Sequence, residues 1–243
     1  MTGNAVIKAC QSAKQKLFEL VAPQLQVSPT DLDVSGDRVY CKQLPEKAVS
    51  FADLFHFDSA AGEGEILGVG FYEAKHTKIA PDTGYSPEAF PEYSYMAYGV
   101  EVAVNTETGE IKILKVVSAV DIGQPINWKM CEGQIEGSIG MGIGMTLYER
   151  FERSKGVVLN PSFVTYRMPT ATEIPSGERV KMASVGLPHP DGPYGGKALG
   201  EMGLIPFPAA VGNAVYDAVG IRIKDAPLTK ERVFKALQQL KNY

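Results

Sequence analysis

The chain has 243 residues, 44% hydrophobic and 21% charged, with 24 basic against 28 acidic side chains and a formal net charge of -4. This is ordinary globular composition, and the length is enough for one large domain or two small ones with a buried core. The slight acidic excess offers no electrostatic footprint for nucleic acid or an anionic membrane surface, so neither is expected as a partner.

No stretch approaches the ~20 apolar residues needed to span a bilayer, and the first segment, "MTGNAVIKACQSAKQKL", lacks a signal-peptide hydrophobic region and cleavage site. Cys10, Cys41 and Cys131 are odd in number and far apart, with no C-x-x-C pair and no histidine at ligand spacing. They indicate neither a disulfide framework nor a zinc site, and a reducing, cytoplasmic setting is expected.

In chain order, "GNAVIKACQSAKQKLFELVAPQL" places Val6, Ala9, Ala13, Leu17, Leu20 and Val21 at three- and four-residue steps, the period of a helix with one buried stripe, and Pro23 marks its end. "DLDVSGDRVY" reads as two short strands turning at Ser35-Gly36, and "SFADLF" as a short helix capped by Ser50. Residues 56–95 carry little periodicity. They read as a loop entering a strand near Ile66 to Glu73, followed by a Pro/Gly/Ser/Tyr-rich surface loop, binding edge or linker, and a subdomain boundary is expected near 74–97.

From Tyr98, "YGVEVAVNTETGEIKILKVVSAVDIG" alternates on both sides of "NTETGE", predicting a long antiparallel hairpin. "NWKMCEGQIEGSIGMGIGMTLYERF" repeats Met130, Ile135, Ile139, Ile143 and Leu147 at helical intervals among glycines 133, 137, 140, 142 and 144. Glycine costs about 1 kcal/mol against alanine inside a helix, so these five call for close approach to another backbone or to a bulky ligand. Tight packing within the fold and contact with a ligand both satisfy that requirement. Beyond it, "GVVLNPSFVTYRMPT", "RVKMASVGL" and "IRIKDAP" read as strands, "PFPAAVGNAVYDAVG" as a helix, and "TKERVFKALQQL" as a last helix N-capped by Thr229. The order predicts an α+β fold of mixed sheets with a long antiparallel hairpin and packed helices, rather than a doubly wound parallel sheet.

"DGPYGGKALGEMG", Asp191 to Gly203, concentrates five glycines around one lysine and one glutamate. It is not a Walker A loop, which would need glycine in place of Asp191 and serine or threonine in place of Ala198. No G-x-S-x-G is present, and His56, His76 and His189 sit in dissimilar contexts that suggest no shared metal. Glu201 stands out. On a partly desolvated loop leading into a helix it would suit a general base; its alternative is a surface carboxylate near a helix N-terminus, stabilised by the dipole. Glu173 and Glu231 read as solvated surface.

Three segments in order, "YGVEVAVNTETGEIKILKVVSAVDIGQPIN", "GQIEGSIGMGIGMTLYE" and "GPYGGKALGEMGLIPFPAAVGNAVYDAVGIRIKDAPLTKERV", resemble the C-terminal part of the molybdopterin-binding subunit in the xanthine dehydrogenase/aldehyde oxidase family of molybdenum hydroxylases. The resemblance runs from "TGNAV" to the last helix. It implies an α+β fold of that kind, a molybdopterin-type molybdenum cofactor, and oxidative hydroxylation of an N-heterocycle or aldehyde with water as the oxygen source. Glu201 falls at the catalytic glutamate of the family's G-E motif, here "KALGE", and would be the general base. Gln134 falls at the pterin-contacting glutamine of G-Q-[IV]-E-G and would hydrogen-bond the pterin from a buried position. Lys197 and Gly200 would shape the loop around the metal as part of the cofactor-binding set.

Family subunits are several times longer, and their other cofactor-contacting segments are absent here. The chain is therefore expected to share the cofactor with a remaining molybdopterin-binding segment or subunit. Iron–sulfur clusters and FAD would reside on partner subunits. A naturally split subunit and an excised C-terminal piece both meet this expectation, and a cofactor-free fragment or assembly module, inactive alone, stands as the alternative.

Overall fold

The computed structural model describes residues 1–55, 65–75 and 77–241. His56, His76 and the first part of the expected 56–95 loop lie outside the described residues. The chain divides into two compact units, Met1–Pro91 and Glu92–Tyr243.

The first unit opens with helix α1, Thr2–Leu25. Of the expected apolar stripe, Val21 is buried and Ala9, Ala13 and Leu17 are half-buried, but Val6 and Leu20 are exposed. Pro23 lies in the last turn, where few intrahelical bonds remain to be lost, and the helix stops at Gln26. Strands β1 (Leu32–Ser35) and β2 (Arg38–Cys41) pair as expected, with Ser35 opposite Arg38 across Gly36 and Asp37. Gly36 has φ +61°, the left-handed conformation that two-residue hairpin turns demand. A third strand, β3 (Ala48–Ser50), which the sequence did not reveal, pairs antiparallel with β2. Ser50 Oγ then accepts the Asp53 N–H at 3.1 Å and caps the short helix α2, Phe51–Leu54. Val21, Ala22, Leu32, Val39 and Cys41 form this unit's core.

The strand expected near Ile66 to Glu73 is not formed. Its backbone lies on α1 instead of beside another strand: a Cβ on Gly68 would collide with Ala9 O and come within 2.7 Å of Ala13 Cβ, and one on Gly70 would collide with Ala5 O. The glycines serve helix packing here, and no ladder forms.

The second unit is built on the expected hairpin. Strands β4 (Tyr95–Val104) and β5 (Ile111–Asp121) pair antiparallel, and Asn105 Oδ1 closes the turn by accepting the N–H groups of Glu107 (2.9 Å) and Thr108 (3.1 Å). Helix α3, Trp128–Ile143, is capped by Asn127 Oδ1 and runs into a single wide turn, Gly144–Tyr148. After a two-residue hairpin, β6 (Arg153–Ser154) with β7 (Val157–Val158), comes β8 (Val180–Ser184), which pairs parallel to β5. Helices α4 (Phe207–Val219) and α5 (Lys230–Lys241) complete the unit, and Thr229 Oγ1 caps α5 by accepting the Arg232 N–H at 3.4 Å. Ile135, Ile139 and Ile143 of α3, Phe207, Val211 and Val215 of α4, Val116 and Val120 of β5 and Val233 of α5 meet in one core. The mixed sheets and packed helices bear out the α+β class.

Two further strand expectations fail. In "GVVLNPSFVTYRMPT" only Val157–Val158 pairs, because Pro161 has no N–H and the buried Asn160 side chain takes up the local backbone, accepting from Glu152 N (3.0 Å) and donating to Arg150 O (2.6 Å). "IRIKDAP" alternates because Ile221 and Ile223 cover the core, but among the described residues no strand pairs with it. All three cysteines are free thiols, and no described helix is long and apolar enough to cross a membrane.

Candidate functional site

The glycine-rich segment is a fixed loop on the end of β5. Gly195, at φ +82°, turns its carbonyl so that it accepts both the Gln124 N–H (2.8 Å) and the His189 N–H (2.9 Å). One residue on, Gly196 pairs with Gly123, and Lys197 N donates to Ile122 O at 2.8 Å. The Lys197 side chain turns inward: its ammonium donates to Asp121 Oδ2 at 2.8 Å and to Tyr93 O at 3.2 Å and stands 5.8 Å from the centre of the Tyr95 ring. The pair is largely shielded, with side-chain exposures of 12% for Lys197 and 20% for Asp121. The Lys197 ammonium, aided by the Gly123 N–H, holds the Asp121 carboxyl below its ordinary range. Ala198 is gripped on both sides, its N–H by Glu92 Oε1 (3.3 Å) and its carbonyl by Ser94 Oγ (2.7 Å).

The loop next meets α3. Gln134 Nε2 donates to Gly200 O at 2.7 Å, bringing together two of the residues singled out from sequence, 66 positions apart. Three residues later Gly203 presses on the helix so closely that a Cβ there would come 2.7 Å from Ser138 Cβ and Oγ. Between these attachments lies Glu201, exposed, in a turn closed by Leu204 N donating to Glu201 O at 3.0 Å. The partly desolvated setting expected for Glu201 is not provided by the described residues. Nor is Gln134 buried as expected: α3 turns it outward with Met130, Gly133, Gly137 and Met141, all exposed, while Ile135, Ser138, Ile139, Gly142 and Ile143 face the core.

Beneath the loop, Tyr98 packs edge-on against Phe207 with ring centroids 5.3 Å apart, and its buried hydroxyl has no hydrogen-bond partner among the described residues. Burial pushes that phenol well above its ordinary pKa. Glu173, expected on solvated surface, is in fact bound: it accepts from Arg167 (2.9 Å) and from Thr170 N (2.7 Å), and these bonds hold its carboxyl low despite partial burial. Glu231 is exposed, as read. Among the described residues no cluster of three or more His, Cys, Asp or Glu is arranged to hold a metal ion.

Asp121, Glu92 and Ser94, which fix the loop, escaped the sequence reading. They lie 76, 106 and 104 residues from the groups they hold, and nothing local announces the pairing.

Comparison with known proteins places this geometry. The chain is 36% identical over 237 residues to the putative xanthine dehydrogenase molybdenum-binding subunit XdhA of Escherichia coli, covering 95% of this chain and 29% of that protein. Among solved structures it is similar to the Cu,Mo-CO dehydrogenase (TM-score 0.71, 25% identity, 96% of this chain and 28% of that one). It is also similar to the aldehyde oxidoreductase of Desulfovibrio gigas (TM-score 0.65, 31% identity, 73% of this chain and 19% of that one). The chain thus spans about a quarter of the length of the curated relatives it matches. A family model described as the molybdopterin cofactor-binding domain matches residues 1–175, and the chain belongs to that family, within the molybdenum hydroxylases.

Proposed function

We propose that this chain forms one wall of the cofactor site of a molybdenum hydroxylase and supplies Glu201 as the general base when an N-heterocycle or aldehyde is hydroxylated with oxygen from water. The observation that carries this reading is the Gln134–Gly200 hydrogen bond, which sets the pterin-glutamine position and the glutamate loop side by side on one open surface. A molybdopterin-type cofactor fits that surface. A Cβ added at Gly133, Gly137 or Gly200 would meet nothing within 4 Å, so a large planar group can approach the backbone there. The donor set suits it as well, since a side-chain amide and a carboxylate border the same opening.

When bound, that group supplies the two-electron oxidation and the activation of water. Gln134 would hold the pterin with the amide N–H and carbonyl left over from its bond to Gly200. Gly200 keeps the loop low enough for close approach. Glu201, exposed on its tip, would take the proton from the attacking oxygen, and the site would become dry once the rest of a molybdenum-binding subunit covers it. Electrons would leave through iron–sulfur and FAD subunits, and the three free thiols suit a reducing, cytoplasmic setting.

The test is turnover and molybdenum content of the complex reconstituted with the remaining subunit portions. Glu201→Gln keeps shape and hydrogen bonding but removes basicity, so turnover should fall by about 10²–10⁴-fold at unchanged molybdenum content, while Glu231→Gln should leave both intact. Near-wild-type turnover with glutamine at 201 would remove the catalytic assignment. A second reading, an assembly module inactive alone, draws on the exposure of Gln134 and Glu201 in this chain. Molybdenum and pterin analysis of the chain purified alone and with its partners separates the two: cofactor in the complex supports the first reading, and none in either preparation the second.

A further inference from the structure

Hydrogen bonds tie down Gly195, Gly196, Lys197, Ala198 and Gly200 before the tip of the Glu201 loop, and one shielded ion pair stands among them. Main-chain bonds of Gly195 and Lys197 to the Ile122–Gln124 segment, on either side of the Gly123–Gly196 bridge, set the base of the loop, but beyond Lys197 the main chain leaves β5. From there the direction of the chain depends on side chains. Lys197 projects back under the loop to Asp121 and Tyr93 O; its ammonium is thereby engaged by a carboxylate, a carbonyl and an aromatic face, with little left for any other ligand. Asp121 is itself fixed. Its Oδ1 accepts the Gly123 N–H at 3.2 Å and occupies the space that a Cβ on Gly186 would need.

We propose that Asp121 is a positioning residue for Glu201, acting through Lys197 as a latch that aims the glycine-rich loop toward α3. This role rests on the reading of Glu201 as the base, and the latch itself can be tested without it. Lys197 is followed by Ala198, Leu199 and Gly200, and the Gln134 bond to Gly200 O forms only if those three residues leave the latch in the right direction. Releasing the latch leaves the loop beyond Lys197 held only by Glu92 and Ser94 at Ala198, by Gln134 at Gly200 and by the packing of Gly203. It also leaves one shielded charge without its partner, which costs more than the pair contributes.

Amide hydrogen exchange on the chain itself reads the latch directly. In Asp121→Asn and in Lys197→Met, the amides of Lys197, Ala198 and Leu204, all hydrogen-bonded in the wild type, should exchange at least tenfold faster, while those of Val215 and Val233 in the core helices report an intact fold. Lys197→Arg retains charge and reach and should recover most of the lost protection. In the reconstituted complex Asp121→Asn should lower kcat with KM and pterin content held, the mark of a displaced base rather than a lost site. If one variant fails to fold, the other decides. Loop exchange within twofold of wild type in a folded variant overturns the latch, whereas retained turnover in Glu201→Gln overturns only the base assignment.

Discussion

The two faces of helix α3 carry the same kind of residue for different reasons. On the inner face Gly142 is there because Phe207 is: a Cβ at 142 would come 2.5 Å from Phe207 Cδ1 and 3.0 Å from its Cβ, and Phe207 is fully buried. On the outer face Gly133 and Gly137 have nothing within 4 Å to make room for, although each costs helix stability. Within this chain the inner glycine is explained and the outer ones are not. The outer pair flank Gln134, which ties the helix to the Glu201 loop, so the same surface that wastes helix propensity carries the residues assigned to chemistry.

The contrast can be sharpened by adding one methyl group at a time. Gly142→Ala should destabilise the chain by about 1–2 kcal/mol, because overpacking against the fully buried Phe207 exceeds the gain in helix propensity. Gly137→Ala should do the opposite, raising stability by up to ~1 kcal/mol, since its Cβ enters open space on an exposed helical position. Chemical denaturation of the two variants against wild type measures both; equal signs would erase the distinction between the faces.

A smaller effect separates the loop from the helix. Asp121 titrates low in the folded chain because of Lys197, with His189 adding to the field. A carboxyl whose folded pKa lies below its unfolded value contributes stability above the unfolded pKa, about 3.9, and loses it as pH falls through the folded value. Protection of the Lys197 and Ala198 amides should therefore decline below about pH 4, ahead of the α4 and α5 amides. Asp121→Asn should remove that acid-dependent step, and hydrogen exchange from pH 6 down to pH 3 follows it.

What could be read beforehand follows from the range of the forces involved. Helices α1, α3, α4 and α5 and the β4–β5 hairpin declare themselves through periodicity and turn chemistry, which act over a few residues. The failures are strands that need a distant partner. Ile66–Glu73, most of 156–170 and "IRIKDAP" have the composition of strands but pair with no strand among the described residues, since β-propensity reflects a pleated context more than the segment itself. The parallel β5–β8 pairing joins Val116 to Val180 and left no local trace. At the site, motif resemblance singled out Gln134, Lys197, Gly200 and Glu201 as candidates, and the structure joins Gln134 to Gly200. It could not reveal that Gln134 points outward or that Lys197 points inward to Asp121, because both depend on how the loop returns to the end of a strand 76 residues earlier.

The most direct measurement is the pterin content of the reconstituted complex carrying Gly137→Leu. If the outer face of α3 lies against the cofactor, leucine should leave the isolated chain at least as stable as wild type, since a Cβ there meets open space, yet cut pterin retained per chain several-fold. Full pterin occupancy with leucine at 137, in a complex that assembles normally, would contradict the assignment of this face to the cofactor.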